Sequence, residues 1–108
     1  VSHRIEGSEL VSKRVTKNSF RREIINAWDG CCAYCGCQPE KVTLDHVIPK
    51  AKGGATQKGN LVPACAPCNV SKNHCDVWQW YTEQPFHCAT REGVIRKWLE
   101  SPAPADGG

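Results

Sequence analysis

Apolar residues first recur with a helical period at Phe20, Ile24, Ile25 and Trp28, the three-and-four spacing of an amphipathic helix. Asn18 or Ser19 is the expected cap and Asp29-Gly30 the stop. The preceding residues 1–17 show no such period and read as a flexible basic arm, ordered only on binding a partner. From 41 to 48 the run Lys-Val-Thr-Leu-Asp-His-Val-Ile is rich in branched apolar residues and predicts a strand closed by Pro49. Lys52-Gly53-Gly54-Ala55 reads as a flexible loop, and Asn60-Leu61-Val62-Pro63 as a short returning strand stopped by its proline.

A helix is expected from the second of two Cys-x-x-Cys pairs, with Pro67 in its first turn. It carries Asn69, Lys72 and Asn73, and on an unbroken helix Asn69 and Asn73 share one face. Asp76 predicts the cap of a short helix through Trp78, Trp80 and Tyr81. Thr90 predicts the start of a last helix that buries Val94, Ile95, Trp98 and Leu99. Trp78, Trp80 and Trp98 therefore read as core rather than as platforms for stacked bases. Residues 101–108 read as a disordered tail, leaving 18–100 as one small α+β domain.

At 108 residues, with four Trp but two Phe and no Met, the core must be modest, and domains of this size often need a metal or disulfides. Eight cysteines are available, clustered as Cys31, Cys32, Cys35 and Cys37, then Cys65 and Cys68, with Cys75 and Cys88 apart. A secreted disulfide scaffold predicts a signal peptide and dispersed cysteines. No apolar run near the N-terminus is long enough for a signal peptide or a membrane span. Clustering favours a metal in a reducing, intracellular setting. Cys32, Cys35, Cys65 and Cys68 have the type and pairing of a closed tetrahedral zinc site, which supports a fold without doing chemistry. Cys37 in place of Cys32 would pair with Cys35 across one residue, a poorer loop. Cys75 and Cys88 read as plain buried thiols.

The formal charge of +3 decides little, but its distribution is informative. No acid lies between Asp45 and Asp76, a stretch that holds His46, Lys50, Lys52, Lys58, Lys72 and His74. A basic face there fits a polyanion such as nucleic acid. A phosphodiester is slow to hydrolyse, so cleavage needs an activated water and charge stabilisation. A histidine titrating near neutrality can take the proton. A hard cation held by a carboxylate and an amide oxygen can supply the charge, and Asp45 and Asn69 are such donors, with His46 beside the first of them. On a regular strand Asp45 and His46 point to opposite faces, so the strand must end or bulge for both to serve one site.

Cys32-x-x-Cys35, Leu44-Asp45-His46-Val47-Ile48-Pro49, Gly53-Gly54, Asn60-Leu61-Val62-Pro63-Ala64-Cys65-x-x-Cys68-Asn69 and Lys72 together resemble the HNH endonuclease family, and within it the zinc-stapled branch found in phages and restriction systems. The resemblance covers roughly residues 30–75. It implies a ββα-metal core of two strands and a helix around a catalytic divalent ion, magnesium or manganese, besides the structural zinc. It makes His46 the general base, Asp45 and Asn69 ligands of the catalytic ion, and Asn60 a brace for the loop between the strands. Asn73, one turn on, matches a further ligand position in some members, and Lys50, Lys52 and Lys72 are expected to contact phosphates. The substrate implied is DNA, cut to 5′-phosphate and 3′-hydroxyl ends, with a homodimer or two events needed for double-strand breaks. Partners from a phage or restriction system are compatible with this reading. The competing readings are a catalytically silent zinc module that binds nucleic acid, and an adaptor in a phage packaging assembly.

Overall fold

A computed structural model describes residues 13–100 of the chain, with the side chains of 18–100. The expectations for residues 1–12 and for the 101–108 tail lie outside the described residues. Helix α1, Lys13–Ala27, begins five residues before the expected cap at Asn18. Nothing in Lys13-Arg-Val-Thr-Lys-Asn breaks a helix, and extending a nucleated helix backwards costs little. The start was therefore invisible to apolar periodicity. Ile24 is fully buried and Phe20, Ile25 and Trp28 half-buried. The helix stops as expected at Asp29 and Gly30, both with positive φ, where Gly30 N–H donates to the Ile25 carbonyl at 2.9 Å.

Strands β1, Thr43–His46, and β2, Leu61–Ala64, form a two-stranded antiparallel sheet in which Thr43 faces Ala64 and His46 faces Leu61. β1 is shorter than the 41–48 run, although Val47 N–H still reaches the Asn60 carbonyl at 2.9 Å. Pro63 lies inside β2, opposite Leu44, instead of ending it. The alternation of ladder bonds turns residue 63 outward, where a missing N–H is harmless. Its carbonyl accepts from Ala33 N–H at 2.9 Å, so the first cysteine pair packs on the outer edge of β2. Single 3-10 turns at Lys50–Lys52 and Lys58–Asn60 shape the connection between the strands. The Gly53-Gly54 segment is a defined turn, with both amide N–H groups donating to the carbonyls of Lys50 and Pro49.

Helix α2, Ala66–Lys72, follows from Cys65 with Pro67 in its first turn, and Asn73 ends it at φ 49°. Helix α3, Val77–Thr82, is capped by Asp76, whose carboxylate accepts from Gln79 N–H at 3.0 Å. Helix α4, Ala89–Leu99, buries Ile95 fully and Trp98 and Leu99 in part. Val94 is 48% exposed, against expectation, because with Ile95 at the centre of the stripe its neighbour in sequence lies about 100° away. Trp80 joins Tyr34, Tyr81, Val47, Val62 and Val77 in the core, and Trp28 and Trp98 meet edge to face at 5.6 Å. Trp98 Nε1 donates to the Leu61 carbonyl at 2.8 Å, fastening α4 to the start of β2. Cys75 is exposed and Cys88 half-buried, so neither is the buried thiol expected. No helix among the described residues is long and apolar enough to cross a membrane.

Candidate active site

The cysteine pairs come from the segment before β1 and the start of α2. Their four sulfurs, on Cys32, Cys35, Cys65 and Cys68, lie within 4.8 Å of one another. A tetrahedral ion with Zn–S bonds of about 2.3 Å has edges of about 3.8 Å, and Cys35 Sγ and Cys65 Sγ are 3.8 Å apart. Donor type, number and spacing therefore fit zinc. All eight cysteines are free thiols. Burial, then the neighbouring sulfurs, push the Cys68 thiol up, a cost that a divalent ion would offset by holding the thiolates. Cys37 stays outside the cluster, exposed, its thiol pushed up to about 12 first by its hydrogen bond to Cys35.

A cleft of about 730 Å³ opens between the end of β1 and α2, and both Asp45 and His46 line it with Asn69 and Asn73. Because β1 ends at His46, the two neighbours are freed from the alternation of a continuing strand. Asp45 is 6% exposed. Its Oδ2 accepts from the Tyr34 hydroxyl at 2.6 Å and from Lys72 Nζ at 3.1 Å. Burial, then the Asp45 charge, push the Tyr34 hydroxyl well up, so it stays a donor. His46 Nε2 meets the Thr56 hydroxyl at 2.9 Å, leaving Nδ1 without a hydrogen-bond partner among the described residues. Burial, then Lys50, hold the His46 imidazole below its ordinary value, with Asp45 pulling the other way. The ring is thus neutral near pH 7 and able to accept a proton.

Asn69, on α2, is oriented by Thr43 of β1. The Thr43 hydroxyl spends its one hydrogen on the Ala64 carbonyl at 2.7 Å, so it must accept from Asn69 Nδ2 at 3.0 Å. The amide oxygen of Asn69 is then the atom left for a ligand, as an oxygen-seeking cation requires. Asn60, buried, braces the connection between the strands. Its Oδ1 accepts from Ile48 N–H at 2.8 Å, and its Nδ2 donates to the carbonyls of Ile48 and Ala55 at 3.0 and 2.9 Å.

Residues 32–74 match the HNH endonuclease family. This segment is an HNH endonuclease domain. The chain is also similar to the CRISPR-associated endonuclease Cas9 of Actinomyces naeslundii, at 37% identity over 81 residues, which cover 64% of this chain and 7% of that relative. The similarity therefore supports a nuclease of the HNH type, within a relative of which this chain spans a small part.

The HNH domain places the remaining candidates unevenly. Asn73 lines the cleft even though α2 has ended, with its φ of 49° turning the chain out of the helix. His74, exposed, lines it too. Lys50 is exposed on the cleft rim and Lys52 is exposed one turn on. Lys72 corrects the expectation of three phosphate-binding lysines. It is 0% exposed, with Nζ on Asp45 and, at 2.9 Å, on the His46 carbonyl, and cannot reach a phosphate at the surface. Tyr34, Thr43 and Thr56 were missed by reasoning from sequence. Thr43 carried a signal, being two residues before Asp45 on one face of the strand. Tyr34 and Thr56 carried none, since only the folded loops bring them to Asp45 and His46.

Proposed function

We propose that this chain is a metal-dependent DNA endonuclease in which His46 is the general base. The observation that carries the reading is the convergence of His46, Asp45 and Asn69 on one open cleft within an HNH domain. His46 draws the proton from water, and the hydroxide attacks phosphorus in line, opposite the departing 3′ oxygen. Asp45 and Asn69 would hold a divalent cation, magnesium or manganese by their oxygen donors, and such an ion supplies charge stabilisation to the phosphate and the leaving oxygen. Lys50 on the rim and Lys52 beyond it hold the flanking backbone without reading sequence. Asn60 fixes the connection that follows His46, and the products are a 5′-phosphate and a 3′-hydroxyl. One such cleft cuts one strand, so a monomer nicks. Eight free thiols fit a reducing compartment such as the cytoplasm.

The test is a supercoiled plasmid incubated with magnesium or manganese and either the parent or His46→Ala. Nicking by the parent and its loss in the variant are expected. Nicking that survives the substitution would remove His46 from the role of base. Absence of nicking by both, with DNA binding intact, would favour a silent nucleic-acid-binding module.

A further inference from the structure

Both polar contacts to the Asp45 carboxylate fall on the same oxygen. Oδ2 takes the Tyr34 hydroxyl and the Lys72 ammonium, whereas no hydrogen bond reaches Oδ1 among the described residues. Tyr34 and Lys72 are each 0% exposed, so neither contact is a surface accident. Each is also held at a second point. Lys72 donates to the His46 carbonyl at 2.9 Å, and the Tyr34 carbonyl accepts from Tyr81 Oη at 2.7 Å and Arg91 Nε at 2.8 Å.

A purely structural role explains this arrangement poorly. Buried ion pairs seldom add stability over a well-packed apolar pair, and the core cluster that holds Tyr34 is built of aromatic and aliphatic side chains and thiols. What two donors on one oxygen do achieve is to stop the carboxylate turning about its last bond. The group is then limited to one free oxygen. The charge balance points the same way: the ammonium cancels the formal charge of Asp45, the only acid lining the cleft among the described residues, and Asn69 is neutral. A divalent cation entering there meets a donor set with no net charge, and electrostatic attraction must come from the phosphate of the substrate.

Resting on the nuclease reading above, we propose that Tyr34 and Lys72 are positioning residues that clamp Asp45 by Oδ2, so that Oδ1 alone faces the catalytic cation and the cation binds firmly only together with a phosphodiester. Tyr34 does this from within the first cysteine pair and Lys72 from the end of α2, so the clamp joins the sulfur-bound scaffold to the reacting face.

Manganese binding followed by electron paramagnetic resonance, on zinc-loaded protein with and without an uncleavable phosphorothioate duplex, tests the proposal apart from turnover. The parent should bind manganese weakly alone and at least about tenfold more tightly with the duplex. Lys72→Met should bind the ion at least about tenfold more tightly than the parent without DNA. Lys72→Gln, which keeps a donor but no charge, serves if the methionine variant does not fold. Tyr34→Phe should retain its zinc and melting behaviour while kcat for nicking falls about tenfold at nearly constant KM for DNA. Unchanged or weaker manganese binding in a folded Lys72 variant, or parental kcat in Tyr34→Phe, would overturn the clamp. If the parent nicks and His46→Ala does not, those results sink this proposal alone; if the parent neither nicks nor binds manganese under any condition, the nuclease reading fails first.

Discussion

Asn60 grips the peptide of Ile48 on both sides, accepting from its N–H at 2.8 Å and donating to its carbonyl at 3.0 Å, two residues beyond His46. The amide carries its acceptor oxygen and its two donor hydrogens on separate atoms, so it can hold an N–H and two carbonyls at once. Asn60→Asp keeps the shape but sets a carboxylate oxygen against the Ile48 and Ala55 carbonyls. We expect a loss of about 2 kcal/mol in unfolding free energy, read from urea denaturation, and a fall in nicking larger than the change in DNA binding.

Gly54 lies against the same peptide. A Cβ there would stand 1.7 Å from the Ile48 carbonyl oxygen and 2.9 Å from Asn60 Nδ2. Gly54→Ala should cost about 1–3 kcal/mol through forced backbone movement, whereas Gly53→Ala, with open space but φ of 89°, should cost about 1 kcal/mol. Denaturation midpoints of the pair check the order, which equal values would contradict.

Thr43 fixes which atom of Asn69 faces outward. Thr43→Val should leave the domain folded, release the Asn69 amide to turn over, and reduce nicking. Thr43→Ser, which restores both hydrogen bonds, should recover the activity. Equal rates for the two variants in a plasmid assay would show that the hydroxyl does not aim the amide.

The four-sulfur cluster predicts one zinc per chain by atomic absorption. Structural zinc contributes on the order of 10 kcal/mol, so a strong chelator should abolish the cooperative melt and expose the tryptophans to water. Cys37→Ser should keep its full complement of zinc, and Cys35→Ser should lose it. Retention of native fluorescence after complete zinc removal would mean that the aromatic core suffices.

Glu92 accepts from His87 Nε2 at 2.7 Å and from Arg96 at 2.8 Å, and these bonds, His87 first, hold its carboxyl below the ordinary range. A folded-state value below the unfolded one means the stabilisation is complete above about pH 4.3, the unfolded value. It is lost as the pH falls through the folded value. The melting temperature of Glu92→Gln should therefore lie below that of the parent at pH 7, and the gap should close in acid. A gap that persists unchanged in acid would assign the effect to packing instead.

What was legible in the sequence follows the range of the forces involved. The cysteine pairs, Asp76 as a cap and the stop at Asp29-Gly30 are set by neighbours in the chain and stand where local spacing puts them, while the two strands form with shifted ends, β1 shorter than its run and β2 passing through Pro63. Asp45, His46 and Asn69 stood out as candidates because their types and spacing are unusual together, and the three line one cleft. Lys72 was misread because a lysine on a short helix is ordinarily solvated; only the fold shows a buried carboxylate waiting for it. The early start of α1, the exposure of Val94 and the reach of Tyr34 to Asp45 depend on which surface packs on which. No pattern of period two or 3.6 encodes that.

The hairpin bearing Asp45, His46 and Asn60 lies between the two sulfur pairs, and Asn69 comes directly after the last thiol. The stretch of chain that completes the four-sulfur cluster therefore also carries Asn69 to the cleft lined by Asp45 and His46, so one cross-link spans both features.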